Sequence, residues 1–164
     1  MPDIQLTLPW APASENLTQA DYEAMESCIY KYEHYGRAVR LFFALREADT
    51  KHVLVMGAGM GGLIRACRDV GGVPLRCITA IERNAAAVGA IRKLFSQLAQ
   101  LVHGEATALA TWMQLSAHCP PDIVVLEMMG SIGCNEAQPE ICATARKVRT
   151  SFTTTSPTPS MFLP

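Results

Sequence analysis

The sequence predicts an α/β fold in which helices lie on both sides of a parallel β-sheet. Short apolar runs rich in β-branched residues alternate along the chain with longer segments of helical periodicity. The first of these runs ends in a glycine-rich turn that leads directly into a helical segment. Such alternation is typical of a doubly wound sheet, whose right-handed crossovers bring the carboxyl ends of all strands to one edge. A ligand is therefore expected at that edge.

The N-terminal part of the chain predicts an extended arm followed by a helix. Residues 1–18 contain three prolines and little periodicity, which favours an extended arm. Residues 21–46 repeat apolar side chains at steps of three and four, which predicts a helix. Thr18 or Asp21 is the expected cap of this helix. A polar break at residues 49–51 ends it.

Four apolar runs predict the strands of the sheet, at residues 52–56, 75–81, 101–103 and 122–126. The segments between them predict helices over residues 63–70, 85–100 and 106–117, with Asn84 capping the second. Thr, Ser and Pro dominate residues 150–164, which are expected to continue neither a helix nor a strand. The predicted organisation is an arm (1–18), one α/β domain (19–149) and a tail (150–164).

Composition excludes several classes of protein. A chain of 164 residues with 49% apolar and 18% charged residues can bury the core of one domain. A net charge of -1 argues against direct binding to nucleic acid, and the apolar runs fall short of the roughly 20 residues that a membrane span needs. The N-terminus lacks the pattern of a secretory signal, and six scattered cysteines are typical of reduced thiols. A cytoplasmic or nuclear protein is therefore expected.

A glycine motif follows the first predicted strand. Gly57, Gly59 and Gly62 form a G-x-G-x-x-G pattern between a strand and a helix, where glycine lets the backbone turn and lets a ligand approach closely. Glu82 ends the next strand, 20 residues after Gly62, and an acidic residue there can accept hydrogen bonds from both ribose hydroxyls of an adenosine. The pair indicates a dinucleotide or S-adenosylmethionine, and a tight turn without any ligand is the alternative.

Two further acidic residues flank a glycine-bearing loop after the last predicted strand. Glu127 directly follows the strand, and Glu136 returns after the loop, so that the two carboxylates can point into one pocket. Paired carboxylates match the planar donors of a guanidinium group, whereas two unrelated surface acids are the alternative. Glu105, after the third strand, can accept from an adenine amino group, and a solvated loop charge is the alternative. No metal site is expected, because the four histidines lack ligand spacing.

These segments together resemble the protein arginine methyltransferases, and within that family the type II branch, which forms symmetric dimethylarginine. The resemblance is carried by YEAMESCIYKYEHYGRAV, VLVMGAGMGGL, AIERN and DIVVLEMMGSIGCNE, and runs from about Asp21 to Arg146. It implies a Rossmann-like fold of the S-adenosylmethionine-dependent methyltransferase type, incomplete at the C-terminus, with S-adenosylmethionine as cofactor. An N-terminal TIM barrel and a C-terminal β-barrel of the family are absent from this chain, which implies a truncated sequence.

The resemblance also implies roles for individual residues at the cofactor. Glu82 would hold the ribose hydroxyls, and Glu105 with Ala106 would lie at the adenine. The glycines that would line the methionine and the ribose are Gly57, Gly59, Gly61 and Gly62.

The remaining implied roles concern the cofactor's cover and the substrate. Tyr22, Lys31 and Tyr32 would cover the cofactor from the preceding helix. Glu127 and Glu136, the family's double-E hairpin, would be the catalytic pair that grips the substrate guanidinium. The implied partners are arginine-rich tails of histones or RNA-binding proteins, and oligomers would form through the missing domains.

Two positions differ from the type II pattern. Met25 stands where that branch has phenylalanine, which leaves symmetric and asymmetric products both open, and Met60 stands where a basic residue is common.

Two other functions remain as alternatives. One is a truncated, non-catalytic module that binds a cofactor or a partner, and the other is an NAD-dependent dehydrogenase fragment, which would leave the Glu127 hairpin unused.

Overall fold

Five parallel strands form one sheet at the centre of the molecule. The structure, a computed structural model, describes residues 17–46, 51–115, 121–128, 138–152 and 161–163. The strands in chain order are β1 (Val53–Met56), β2 (Ile78–Glu82), β3 (Gln100–His103), β4 (Ile123–Leu126) and β5 (Met161–Leu163). Their order across the sheet is β3-β2-β1-β4-β5. The direction of winding reverses between β1 and β4, so the predicted doubly wound parallel sheet is confirmed.

Six α-helices accompany the sheet in the described residues. They are α1 (Gln19–Glu26), α2 (Ile29–Ala44), α3 (Gly62–Arg65), α4 (Ala85–Leu94), α5 (Leu109–Trp112) and α6 (Gln138–Phe152). A π-helical turn, Ala66–Val70, continues α3, and a 3-10 turn, Leu75–Cys77, leads into β2. No helix among the described residues has the length and apolar character needed to cross a membrane.

Alternate side chains of the central strand enter two separate cores. Val53 and Val55 of β1 pack on one side of the sheet with α2, α3 and α4, and Leu54 and Met56 pack on the other with α5 and α6. All four side chains are at most 1% exposed. A strand buried on both faces reads as a continuous apolar run, which is why HVLVM could be recognised in the sequence.

The single helix predicted over residues 21–46 is two helices in the structure. Thr18 caps α1 in a capping box with Asp21. The helix then ends because the Ser27 hydroxyl donates to the Ala24 carbonyl at 2.7 Å and Cys28 leaves helical geometry, with ψ at 81°. A serine that bonds its own backbone competes with the helical ladder. The break turns α1 away from the line of α2 and toward the carboxyl edge of the sheet, where Tyr22 lines a cleft.

Several predicted boundaries also shift. The helix predicted over residues 85–100 begins at the expected Asn84 cap but ends at Leu94, because Phe95 adopts φ -133° and packs into the core at 4% exposure. The strand predicted at residues 75–81 begins only at Ile78, after the 3-10 turn. Within residues 106–115 only α5 is helical, and the rest of that predicted helix lies outside the described residues.

The expectation for the tail was wrong. Helix α6 extends through Phe152, and Met161–Leu163 forms β5, which pairs in parallel with β4. A strand edge leaves backbone donors and acceptors unpaired, and pairing of Phe162 with Val124 and of Leu163 with Val125 satisfies them. The Thr, Ser and Pro content of the tail obscured this short apolar run, and no helix was predicted for α6.

A close contact between α2 and the π-helical turn gives a test of the packing. A Cβ added at Gly36 would lie 2.4 Å from Val70 Cβ and 2.6 Å from the Ala66 carbonyl oxygen. We expect Gly36→Ala to lower the free energy of unfolding by about 1–3 kcal/mol in urea denaturation, because these atoms must move apart. Gly89→Ala is the control, since an added Cβ there meets nothing within 4 Å. It is expected to raise the stability by about 0.5–1 kcal/mol, and an equal loss in both variants would contradict this packing.

Candidate functional site

A cleft opens at the carboxyl edge of the sheet, where β1, β2, β3 and β4 all end. Its empty space, which includes the open solvent at its mouth, is about 990 Å³. The residues that line it come from the segment before α1, the four strand ends, the glycine turn and helices α1, α2, α3 and α6: Leu17, Tyr22, Met25, Glu26, Tyr32, Gly57, Ala58, Gly59, Gly62, Leu63, Ile81, Glu82, Arg83, Gly104, Glu105, Ala106, Glu127, Met128 and Ile141. The cleft lies where the winding of the sheet reverses, the usual ligand position in such folds.

The glycine turn brings backbone against the side chains that cover it. Gly59 has φ +54°, and a Cβ there would lie 3.2 Å from the Tyr22 ring. Gly57, with φ +64°, and Gly62 also line the cleft. Gly61, expected beside them, is not among the lining residues, because its free space is filled by Phe95, whose Cε2 would lie 2.4 Å from an added Cβ. Three of the four predicted glycines thus meet at the cleft.

Glu82 anchors the glycine turn. Its side chain is 5% exposed, and its two oxygens accept from the backbone N–H of Gly59 at 2.8 Å and of Asn84 at 2.7 Å. These bonds join the turn after β1 to the turn after β2. Because a carboxylate has about four acceptor positions, Glu82 keeps capacity for two further donors on the cleft side.

Two tyrosines form the roof of the cleft. Burial, and after it the charge of Glu82, raises the pKa of Tyr22 to about 12. Burial likewise raises the pKa of Tyr32, with Glu26 and Glu127 adding to the effect. Both hydroxyls are therefore protonated at neutral pH and can donate hydrogen bonds. The structure brings two of the three predicted cover residues, Tyr22 and Tyr32, to the cleft.

Lys31 joins helix α2 to the end of β4. Its ammonium lies 3.2 Å from Glu127 Oε2, with each side chain 25% exposed, and 4.9 Å from the centre of the Tyr32 ring. Tyr35 adds a second link, since its hydroxyl donates to the Leu126 carbonyl at 3.2 Å. Lys31 does not itself line the cleft, but it supplies a cation at the predicted catalytic carboxylate.

Glu105 and Ala106 lie at the end of the cleft beyond β3. Glu105 is paired with Arg83, at 3.7 Å between Oε2 and Nη1. The Ala106 carbonyl accepts from the Trp112 indole at 2.7 Å, which fixes this turn against α5. Both predicted residues line the cleft, whereas Glu136, the second predicted catalytic residue, lies outside the described residues.

The sequence interpretation missed two charged residues that line the cleft, Arg83 and Glu26. Arg83 is the partner of Glu105, and the second residue, Glu26, lies against the glycine turn. Its Oε1 accepts from the backbone N–H of Gly62 at 2.9 Å, and its Oε2 is paired with the Arg65 guanidinium. Its position four residues after Tyr22 on the same helix was the available signal, because such residues share a helix face. Within the described ranges, no group of three or more His, Cys, Asp or Glu side chains is arranged to hold a metal ion.

Two solved methyltransferase structures have an arrangement of strands and helices similar to that of this chain. The plantazolicin methyltransferase BamL, solved in complex with SAH (S-adenosylhomocysteine), superimposes with a TM-score of 0.56 at 16% identity, over 77% of this chain and 44% of that one. CalS10, a SAM-bound amino pentose methyltransferase from Micromonospora echinaspora, gives 0.53 at 17% identity, over 84% of this chain and 53% of that one. The chain therefore has the fold of these methyltransferases.

Sequence comparison identifies the family. The chain matches the family described as PRMT5 arginine-N-methyltransferase over residues 3–156, and it belongs to that family. Protein arginine N-methyltransferase 5 of Oryza sativa subsp. japonica is 34% identical over 149 residues, which is 82% of this chain and 22% of that protein. The Drosophila melanogaster protein of the same name is 32% identical over 154 residues, 87% of this chain and 25% of that one. The chain thus spans about a quarter or less of these relatives.

Proposed function

We propose that this chain binds S-adenosylmethionine and forms the part of an arginine methyltransferase in which a methyl group passes to a guanidinium nitrogen of protein arginine. The observation that carries the proposal is the convergence of Glu82, Glu105 and Glu127, each from the end of a different strand, on one cleft beside the glycine turn. Membership of the PRMT5 family supports the reaction class.

The cleft fits this cofactor at three places. Glu82 has acceptor capacity for two ribose hydroxyls while it holds the glycine turn. Glu105 and Ala106 line the end suited to the adenine, and the part of the glycine turn toward Gly62, which also lines the cleft, is assigned to the methionine part. When bound, S-adenosylmethionine supplies a methyl group on a positively charged sulfur, which makes that carbon electrophilic. Tyr22 and Tyr32, which cover the cleft, would exclude water from the bound cofactor.

Glu127 is the residue of this chain that we assign to the substrate. Its carboxylate lies at the cleft with Lys31 on one oxygen, so a guanidinium must share or replace that cation. A carboxylate facing the guanidinium orients its nitrogen and stabilises the extra positive charge that develops as the methyl group moves from sulfur to nitrogen, which is catalysis by positioning and electrostatics. The nitrogen then loses a proton, and the sulfur leaves as the neutral thioether of S-adenosylhomocysteine. Glu136, the second member of the pair, completes the proposed clamp.

The proposal extends to partners and location. The substrates are arginine-rich tails of histones or RNA-binding proteins, because a pocket with a carboxylate pair selects cationic chains. Such substrates are consistent with a protein of the cytoplasm and the nucleus. Oligomers form through regions that the longer relatives have in addition to this one.

Methyl transfer to an arginine-rich peptide tests the proposed function. We expect incorporation of methyl groups from labelled S-adenosylmethionine, and no incorporation into the same peptide with every arginine replaced by lysine. Mass spectrometry of the product would also separate symmetric from asymmetric dimethylarginine. Binding of S-adenosylhomocysteine without any transfer by the chain or by a longer protein that includes it would favour a non-catalytic module instead.

A further inference from the structure

We propose that Glu26 receives the α-ammonium group at the amino-acid end of S-adenosylmethionine, and so selects this cofactor over adenosine ligands that lack an amino acid. The inference rests on the proposed function. It concerns a residue for which neither the glycine motif nor the resemblance gave a role. Glu26 ends α1 and lines the cleft beside the glycine turn.

The Glu26 carboxylate is held by donors on both oxygens. Oε1 accepts from the Gly62 N–H at 2.9 Å, and Oε2 is paired with the Arg65 guanidinium. The side chain is 16% exposed, so its orientation is fixed by these bonds rather than by solvent. Two bonds leave about two acceptor positions of the carboxylate unused. A fixed, partly desolvated carboxylate with spare acceptor positions binds an ammonium group well.

The position of Glu26 along the cleft determines which part of the cofactor it can contact. Glu82 lies on the Gly59 side of the turn, where we assign the ribose. Glu26 lies on the Gly62 side, and its Oε1 would be 3.8 Å from a Cβ on Gly59. Since the amino-acid part and the adenine are attached at opposite ends of the ribose, we assign the amino-acid part to the Gly62 side of this turn. Of its two end groups, only the ammonium donates hydrogen bonds, and only the ammonium is attracted by a carboxylate.

Two ligands that differ only at the amino-acid end test the assignment. S-adenosylhomocysteine and 5′-deoxy-5′-methylthioadenosine share the adenosine and the thioether, but the second has no ammonium group. We expect Glu26→Gln to weaken binding of S-adenosylhomocysteine by at least about tenfold, the loss of one charge-assisted bond, and to change binding of the second ligand less than about twofold. Isothermal titration calorimetry of the full chain measures the affinities for both ligands. Glu23→Gln is the matched control, because Glu23 is exposed on the same helix and bonds only Gln19 among its described contacts.

The preference for one ligand over the other separates recognition from a structural role. Partial unfolding of a variant lowers both affinities, so their ratio still reports on the ammonium group. Arg65→Gln removes the cation from Glu26 but leaves the carboxylate, and we expect it to keep the parent's preference. Equal weakening of both ligands in Glu26→Gln, or no change in either, would overturn the assignment of Glu26 alone. A parent chain that binds neither ligand would overturn the proposed function together with it.

Discussion

Replacing Glu127 by glutamine is expected to lower methyl transfer to an arginine peptide by at least about 100-fold, some 2.7 kcal/mol of transition-state stabilisation. Glutamine has the same shape but no charge, and half of its end group is a donor that faces the donors of the guanidinium. It also removes the partner of Lys31, whose ammonium now lies 3.2 Å from Glu127. The pocket then presents an uncompensated cation where a cationic substrate must bind.

The assay needs a protein that carries this chain and is active before substitution. Glu136→Gln is expected to give a similar loss of activity, and both variants should bind S-adenosylhomocysteine within about threefold of the parent, since Glu82 and the glycine turn are untouched. Glu140→Gln, at an exposed position near the start of α6, is the control and should remain active. Activity of Glu127→Gln within a few-fold of the parent would contradict the proposed substrate clamp. Loss of S-adenosylhomocysteine binding in Glu127→Gln would indicate that Glu127 has a structural role.

The second large effect is expected at Glu82. Glu82→Ala should weaken S-adenosylhomocysteine binding by about one to two decades, because the ribose loses a charge-assisted acceptor worth about 1.5–3 kcal/mol. The substitution also lowers the stability of the fold, since the backbone N–H groups of Gly59 and Asn84 lose their acceptor. Glu82 is only 5% exposed, so water cannot readily replace it. The thermal midpoint without ligand should therefore fall as well.

Glu82→Gln separates these two effects. The amide oxygen keeps one of the two backbone bonds, so the midpoint should fall less than in the alanine variant, while the charge on the ribose side is still lost. Calorimetric titration and thermal unfolding of the same samples measure both quantities. If the affinity for S-adenosylhomocysteine is unchanged in the alanine variant, the assignment of the ribose to Glu82 is wrong.

Strands β1 to β4 and the cleft at their carboxyl ends could be predicted from the sequence because local and tertiary signals agree there. Residues 53–56 are apolar and buried on both faces, and the glycines that follow are required by positive φ angles at Gly57 and Gly59. Parallel pairing then brings Glu82 and Glu127 to the same edge without any further information. The positions of these strand-end residues follow from chain order and handedness alone.

Other features depend on contacts that no periodicity encodes. The break at Ser27 rests on one side-chain bond to the backbone, and the early end of α4 rests on the packing of Phe95. The ring of Phe95 also fills the space beside Gly61, so this glycine of the motif is needed for packing of the core. Glu26 reaches the site through a bond to Gly62, 36 residues further along the chain. Such long-range pairs become visible only when the helices are placed in space.

Titration of the full chain with S-adenosylhomocysteine and with NAD, side by side in one calorimeter, tests the proposed cofactor most directly. Both ligands carry an adenosine that Glu82 can hold, but only the first has the amino-acid end that the cleft beside Gly59 and Gly62 is proposed to bind. We predict saturable binding of one S-adenosylhomocysteine per chain and at least about tenfold weaker binding of NAD. Saturable binding of NAD with no heat from S-adenosylhomocysteine would contradict the proposal and would favour a dehydrogenase fragment.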